Sequence, residues 1–266
     1  MTGGPGRAPD PADVELAGRL VREAGRLAQR MRAEGLSTRR KSGFADVVTE
    51  ADHAAERLVR EALAGERHDD GLLGEEETDV PGTSGRRWIV DPVDGTWNFV
   101  AGLDWWCSAI ALTEDDDVVL GAVYHPAGDV LYVGGPQLPT TANGEPLPPI
   151  EDRPLSKACV STYLHPPLYA GEVGAAFAHA VAPAATLRML GSGSMDHTAV
   201  ARGITHVLVQ QSVADWDWFP GSALVRGGGG EARRTPAAGV EWSVAGAPTA
   251  VSDIVEGLDR AGHDNG

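Results

Sequence analysis

The sequence predicts a layered α/β fold, with helix and sheet layers alternating and both halves of the chain supplying strands and helices. Three observations carry that expectation. Helical and strand-like patterns follow one another in both halves. A short apolar run, Trp88-Ile89-Val90, stops abruptly at Asp91-Pro92-Val93-Asp94-Gly95-Thr96, as a buried strand does when it delivers polar groups at its end. With 266 residues, 42% of them hydrophobic, the chain can bury a substantial core.

Taken in order, residues 1–11 are rich in Gly and Pro and read as a disordered tail. From Asp13, apolar residues recur at Val14, Ala17, Val21, Ala24, Ala28 and Met31, the spacing of an amphipathic helix with arginines outside. A basic stretch from Leu36 to Gly43 leads to Asp46-Val47-Val48-Thr49. A second helix is expected from about Glu50 to Ala64, burying Ala51, Ala54, Ala55, Leu58, Val59 and Ala62. Leu72-Leu73-Gly74 is a short apolar step into Glu75-Glu76-Glu77.

Pro92, with no N–H to donate, is expected to end strand pairing, so that Asp91 and Asp94 leave the strand together. Gly95 and Thr96 then open a helix. Strands follow over Cys107–Leu112, Val118–Tyr124 and Val130–Val133, the first two joined by a solvated turn at Glu114-Asp115-Asp116-Asp117. The Gly, Pro and Asn-Gly signals over 134–156 mark turns and a boundary. Residues 12–145 are thus expected as an N-terminal α+β subdomain with most metal ligands, and 146–266 as a C-terminal α/β subdomain with Asp217 and the substrate loops. The latter begins with a strand, Ala158–Thr162, and a helix, Ala170–Ala182. A helix over Met195–Ala201, a strand over His206–Gln210 and a helix over Asp217–Arg226 follow.

Composition narrows the partners. The net charge is −16, from 22 basic and 38 acidic residues, a surface that repels nucleic acid and anionic lipid. An anionic substrate would need cations to reverse the field at its site. No apolar run approaches the ~20 residues of a bilayer span, and the N-terminus lacks the basic-then-apolar pattern of a secretion signal. Cys107 and Cys159 have no neighbour at metal-ligand spacing. A cytoplasmic setting is expected.

Two hard anionic oxygen donors leaving one strand suit Mg²⁺, and the N–H groups of a helix opening at Gly95-Thr96 suit a phosphate. Other acidic features are Asp52 in Val48-Thr49-Glu50-Ala51-Asp52, Glu75 after Gly74, and Asp217 in Trp216-Asp217-Trp218-Phe219-Pro220. Each has a plainer role open to it. Thr49-x-x-Asp52 matches a helix capping box, Glu75 stands in an acidic run that solvent would accept, and Asp217 can cap the helix it starts.

Together these segments resemble the inositol monophosphatase family of Mg²⁺-dependent, lithium-sensitive phosphatases. The likeness runs from Lys41 through Asp46-Val47-Val48-Thr49-Glu50-Ala51-Asp52, Gly74-Glu75-Glu76, Trp88 to Phe99, and Trp216-Asp217, over roughly residues 13–255. It implies the layered sandwich of the sugar phosphatases and hydrolysis of a small phosphate monoester by metal-activated water. By position it implies a first ion held by Glu75, Asp91 and the Val93 carbonyl, and a second held by Asp91, Asp94 and Asp217, with two or three Mg²⁺ per site. Glu75, Thr96 and Asp52 would orient and deprotonate the water. Asp94, Gly95, Thr96, Gly191, Gly193, Gln210 and Asp217 would meet phosphate and substrate. Relatives are commonly dimers, so a homodimer is expected.

The expected substrate is inositol monophosphate or a similar polyol or sugar phosphate; histidinol phosphate, fructose bisphosphate and nucleotide 3′-phosphates are the alternatives. Gln210 stands where inositol-directed members tend to have a glutamate, and Trp218-Phe219-Pro220 replaces small residues. The tryptophans beside the motifs are expected mostly as core, and a bulkier wall there would narrow the pocket or favour a ring-bearing leaving group. Aspartyl-phosphate chemistry is rejected, because the two aspartates are three positions apart and begin at residue 91. A metal-binding homologue without turnover is the non-enzymatic alternative.

Overall fold

The computed structural model describes residues 8–35, 38–40, 47–76 and 78–263. Lys41, Glu77 and residues 1–7 of the expected tail lie outside them. Helix α1 (Pro11–Glu34) starts ahead of Asp13, because Asp10 accepts the Ala12 N–H at 2.9 Å and Pro11 fits the first turn. It buries Leu16, Ala17, Leu20, Val21, Ala24 and Ala28. Strands β1 (Thr38–Arg40) and β2 (Val47–Thr49) pair antiparallel. Helix α2 (Glu50–Glu66) opens on a complete capping box: Thr49 receives the Asp52 N–H and the Asp52 side chain receives the Thr49 N–H.

Next come β3 (Gly71–Gly74), β4 (Asp79–Val80), β5 (Arg86–Asp94), the short helix α3 (Thr96–Ala101), β6 (Cys107–Glu114), β7 (Asp117–His125), β8 (Val130–Gly135), β9 (Leu138–Ala142) and β10 (Glu145–Pro146). They make an eight-stranded sheet in the order β10-β9-β8-β7-β6-β5-β3-β4. The turn joining β6 to β7 holds Asp115 and Asp116 at φ of 49° and 67°, a left-handed conformation that aspartate tolerates.

Two expectations are corrected here. Strand β5 does not end at Pro92: Asp91 still pairs with Ala109 and Asp94 with Cys107, with a register shift between them. The irregularity absorbs the missing N–H, and the Pro92 carbonyl accepts from Ser108 Oγ at 2.5 Å. The turn-rich stretch 134–156 is not only turns, since β9 and β10 extend the sheet there.

The second sheet has five strands: β11 (Cys159–Tyr163), β12 (Thr186–Arg188), β13 (Val207–Gln211), β14 (Glu231–Ala237) and β15 (Val240–Gly246), in the order β12-β11-β13-β15-β14. Between them run α4 (Glu172–Val181), α5 (Gly193–Ala201) and α6 (Asp215–Gly227), and α7 (Pro248–His263) follows. Apolar clusters define the layers. Leu16, Leu20 and Val21 of α1 and Ala55 and Val59 of α2 pack on Trp88, Ile110 and Leu120 of the first sheet. On its other face Ala223 of α6 meets Ile89 and Ala111. Val200 of α5 and Trp218 and Val225 of α6 meet Leu208 and Ala245 of the second sheet, whose far face carries α4 and α7. The stacking is therefore α/β/α/β/α. Helix α6 is pressed hard on the first sheet: a Cβ on Gly121 of β7 would lie 2.3 Å from the Pro220 carbonyl oxygen.

Candidate active site

Strand β5 presents Asp91 and Asp94, and the first turn of α6 presents Asp217. Carboxylate oxygens of the three lie within 4.8 Å of one another. Asp91 and Asp94 are 2% and 5% exposed. Glu75 arrives by register: β3 runs parallel to β5 with Gly74 opposite Val90, and the Glu75 N–H donates to the Val90 carbonyl at 3.2 Å. Its side chain hydrogen-bonds the Asp91 carboxyl. These four carboxyls line one end of a cavity of about 1080 Å³, together with Val93, Gly95, Thr96, Gly191, Gly193 and Gln210.

Burial pushes the Asp91 carboxyl well up, and the charges of Glu75, Asp94 and Asp217 push it further. Asp217 is raised to about 7 by burial and by Asp94. Asp94 is raised by burial too, against donors from Ser194, Ser192 and Gly193 that lower it. Without positive charge, so many buried carboxylates favour their protonated forms. An all-oxygen donor set under this electrostatic load fits a divalent cation that takes hard oxygen ligands.

Asp52 caps α2 and also reaches Thr96. Its carboxylate completes the α2 capping box and accepts from the Thr49 hydroxyl, while Oδ1 lies 3.2 Å from Thr96 Oγ1. Thr96 Oγ1 is also 3.0 Å from the Val93 carbonyl; with a single proton it donates to one acceptor at a time. Gly95, at φ 92°, precedes α3, and no side chain caps that helix. A Cβ there would meet Ser192 Cβ at 3.0 Å.

The 191–194 loop is tied to Asp94. Gly193 N–H donates to Asp94 Oδ1 at 3.1 Å and Ser194 N–H donates to Oδ2. Gly193 thus lines the cavity with its N–H already engaged. Gly191, at φ 88°, sits against Asn98, whose amide donates to the Leu190 and Trp105 carbonyls at 2.7 and 2.8 Å. Gln210, 7% exposed, approaches Gly193 from β13.

Behind the loop, His197 Nδ1 donates to the Gly193 carbonyl at 2.8 Å, and burial depresses this imidazole to about 4. A lowered histidine contributes stability that is present above the unfolded value near 6.5 and lost as pH falls towards 4. Relative to His197→Leu, the wild type should therefore lose about 3 kcal/mol between pH 7 and pH 4, read from urea midpoints of both proteins. Parallel pH profiles would show that this histidine does not titrate as described.

Trp218-Phe219-Pro220 does not narrow the pocket, because none of the three lines it. Trp218 is buried edge-on against His197, and both Trp218 and Phe219 lie under the Arg234 guanidinium. The aromatic wall is instead Trp97 and Tyr163, with His165, Pro166 and Pro167 beside them. Sequence reading passed over Tyr163 and His165, although Tyr-x-His-Pro-Pro at a strand end was a visible cue. It also passed over Glu56, a buried acid on the apolar face of α2.

A five-layer α/β/α/β/α sandwich that closes four carboxyls around one end of an open cavity belongs to a class of phosphoric monoester hydrolases. The chain is a member of the inositol monophosphatase family, whose model matches residues 12–248. It is 36% identical to an inositol-1-monophosphatase of Rhizobium meliloti over 192 residues, 71% of this chain and 72% of that protein. It is 37% identical to a histidinol-phosphatase of Chlorobaculum parvum over 139 residues, 51% of this chain and 52% of that one. The extragenic suppressor protein suhB from Bartonella henselae superposes with a TM-score of 0.84 at 25% identity, covering 94% of this chain and 99% of that chain.

Proposed function

We propose that this chain is a Mg²⁺-dependent phosphomonoesterase acting on a small polyol or sugar phosphate, inositol monophosphate foremost. The observation that carries the reading is the meeting of Asp91, Asp94 and Asp217 within 4.8 Å at the cavity end that Glu75 also lines. Glu75, Asp91 and the Val93 carbonyl would hold one ion, and Asp91, Asp94 and Asp217 a second, with room in the proposal for a third. Bound Mg²⁺ would supply the positive charge that offsets the phosphoryl oxygens and makes water easier to deprotonate.

The chain's own groups do the rest. Asp52, buried and raised above the ordinary carboxylate range, accepts a hydrogen bond from Thr96 Oγ1, whose lone pairs orient the attacking water, and Glu75 would take the proton that this water gives up. The free N–H groups at Gly95 and Thr96 face the phosphate. Gly191, Gly193 and Gln210 shape the space for the leaving group. The reading includes lithium inhibition and a homodimer, both carried from the family resemblance, and a cytoplasmic setting, which rests on the cysteine usage.

One observation favours a second substrate class. Trp97, Tyr163 and His165 put three aromatic rings in the cavity lining, and Gln210 offers an amide to a hydroxyl in place of a charge. A leaving group with its own ring, such as that of histidinol phosphate, stacks on such a wall.

Phosphate release should be measured across inositol monophosphate, histidinol phosphate, fructose bisphosphate and adenosine 3′,5′-bisphosphate. EDTA should stop turnover, and Asp94→Asn should lower it at least about 10²-fold by removing a charge from the proposed second ion site. Full turnover in EDTA, or by the variant, would defeat the mechanism.

A further inference from the structure

We propose that Glu56 is a positioning residue for Glu75. The inference rests on the metal-site reading above. Asp52 and Glu56 stand one turn apart on the same face of α2, both buried. Asp52 reaches Thr96 on one side of the site. Glu56 reaches the loop on the other.

The Glu56 Oε2 atom accepts the Glu76 N–H at 2.8 Å, and Oε1 accepts the Thr78 hydroxyl at 2.6 Å. The Gly74 N–H closes the same loop on the Thr78 carbonyl at 2.7 Å. Gly74 lies so close that a Cβ would stand 2.5 Å from the Glu56 carboxyl carbon, so the backbone packs directly on the carboxylate. The residues on both sides of Glu75 are thereby clamped to α2, while Glu75 itself is held to Val90 through its N–H and turned towards Asp91. A carboxylate held in this way spends little conformational freedom when it takes a cation, and groups that orient a metal ligand typically govern 10–100-fold in affinity.

Glutamine at 56 can keep the clamp, with its oxygen accepting the Glu76 N–H and its amide donating to the Thr78 hydroxyl. Alanine cannot. Titration calorimetry of the whole protein with MgCl₂ and no substrate should show Glu56→Ala binding Mg²⁺ about 10–100-fold more weakly than wild type, with Glu56→Gln within about threefold of wild type on the same scale. Phosphate-release assays should show the half-saturating Mg²⁺ concentration of Glu56→Ala raised in parallel, with substrate KM at saturating Mg²⁺ unchanged.

Should Glu56→Ala fail to fold, Thr78→Val removes one arm of the clamp, and its expected loss lies between those of the other two variants. Wild-type Mg²⁺ affinity in a folded Glu56→Ala or Thr78→Val protein would overturn the inference alone. A wild-type protein that binds no Mg²⁺ would overturn the metal-site reading and this inference with it.

Discussion

Replacing Asp91 by asparagine should nearly eliminate phosphate release while raising the melting temperature of the metal-free protein. The two effects have one source. The Asp91 carboxyl is shifted upward by burial and then by the charges of Glu75, Asp94 and Asp217. As the proposed bridge between ions its charge is needed, and losing it should cost at least about 10²–10³ in rate. In the metal-free protein the same charge is a burden, because buried anions without partners oppose folding. Asparagine keeps the shape and can still accept the Val93 N–H, which lies 3.0 Å from Asp91 Oδ1.

The sign with pH follows from linkage. A carboxyl whose folded value is raised contributes stability that is complete below the unfolded value of 3.8 and lost as pH rises. The advantage of Asp91→Asn should therefore be small near pH 4 and grow towards pH 8, each 1 kcal/mol appearing as about 2–4 °C. Thermal scans in EDTA across that range measure it. A variant that melts lower than wild type at pH 8 would contradict this account of the carboxyl cluster.

Mg²⁺ affinity should climb with pH through the neutral range. Asp217 titrates at about 7 in the metal-free protein, so below that pH a cation must displace its proton to bind. Each proton displaced costs about tenfold in apparent affinity per pH unit. Titration calorimetry at pH 6.5 in buffers of different ionisation enthalpy should reveal the released proton directly. Asp217→Asn should bind more weakly and lose the corresponding part of the pH slope. Affinity that stays flat from pH 6 to pH 8 would show that no carboxyl of the cluster is protonated before the ion arrives.

Much of this site was legible in the sequence because its chemistry is local. Asp91, Asp94, Gly95 and Thr96 are nearly contiguous, and a strand interrupted by proline announces them without knowledge of the fold. The β6–β7 hairpin was legible for a similar reason: apolar strands flank an aspartate run that suits a left-handed turn. Pro92 misled because a missing N–H ends pairing only in a regular ladder, and an irregular register lets Asp94 pair again.

What stayed hidden depends on contacts distant in sequence. Glu56 looked like an ordinary polar position on a helix, since nothing along the chain shows that Glu76 and Thr78 will meet it. Trp218 and Phe219 looked like pocket walls from their place beside Asp217, yet helical geometry turns them to Arg234. The short strand β12 and the β14–β15–α7 unit went unread; β14 carries two adjacent arginines, Arg233 and Arg234, and a proline, Pro236, which break the alternation expected of a strand.

The position of Asp217 on α6 has a consequence for the protein's own synthesis. Asp91 and Asp94 are made early and lie on the first sheet, but their third companion is carried by a helix that must later be laid across that sheet, against Gly121. Such long-range closure forms late and slowly compared with local hairpins. A chain broken off before α6 could fold much of its first sheet and would still lack Asp217, the third carboxyl of the cluster. On the proposed reading, the capacity to hold the second ion would therefore appear only after α6 has docked.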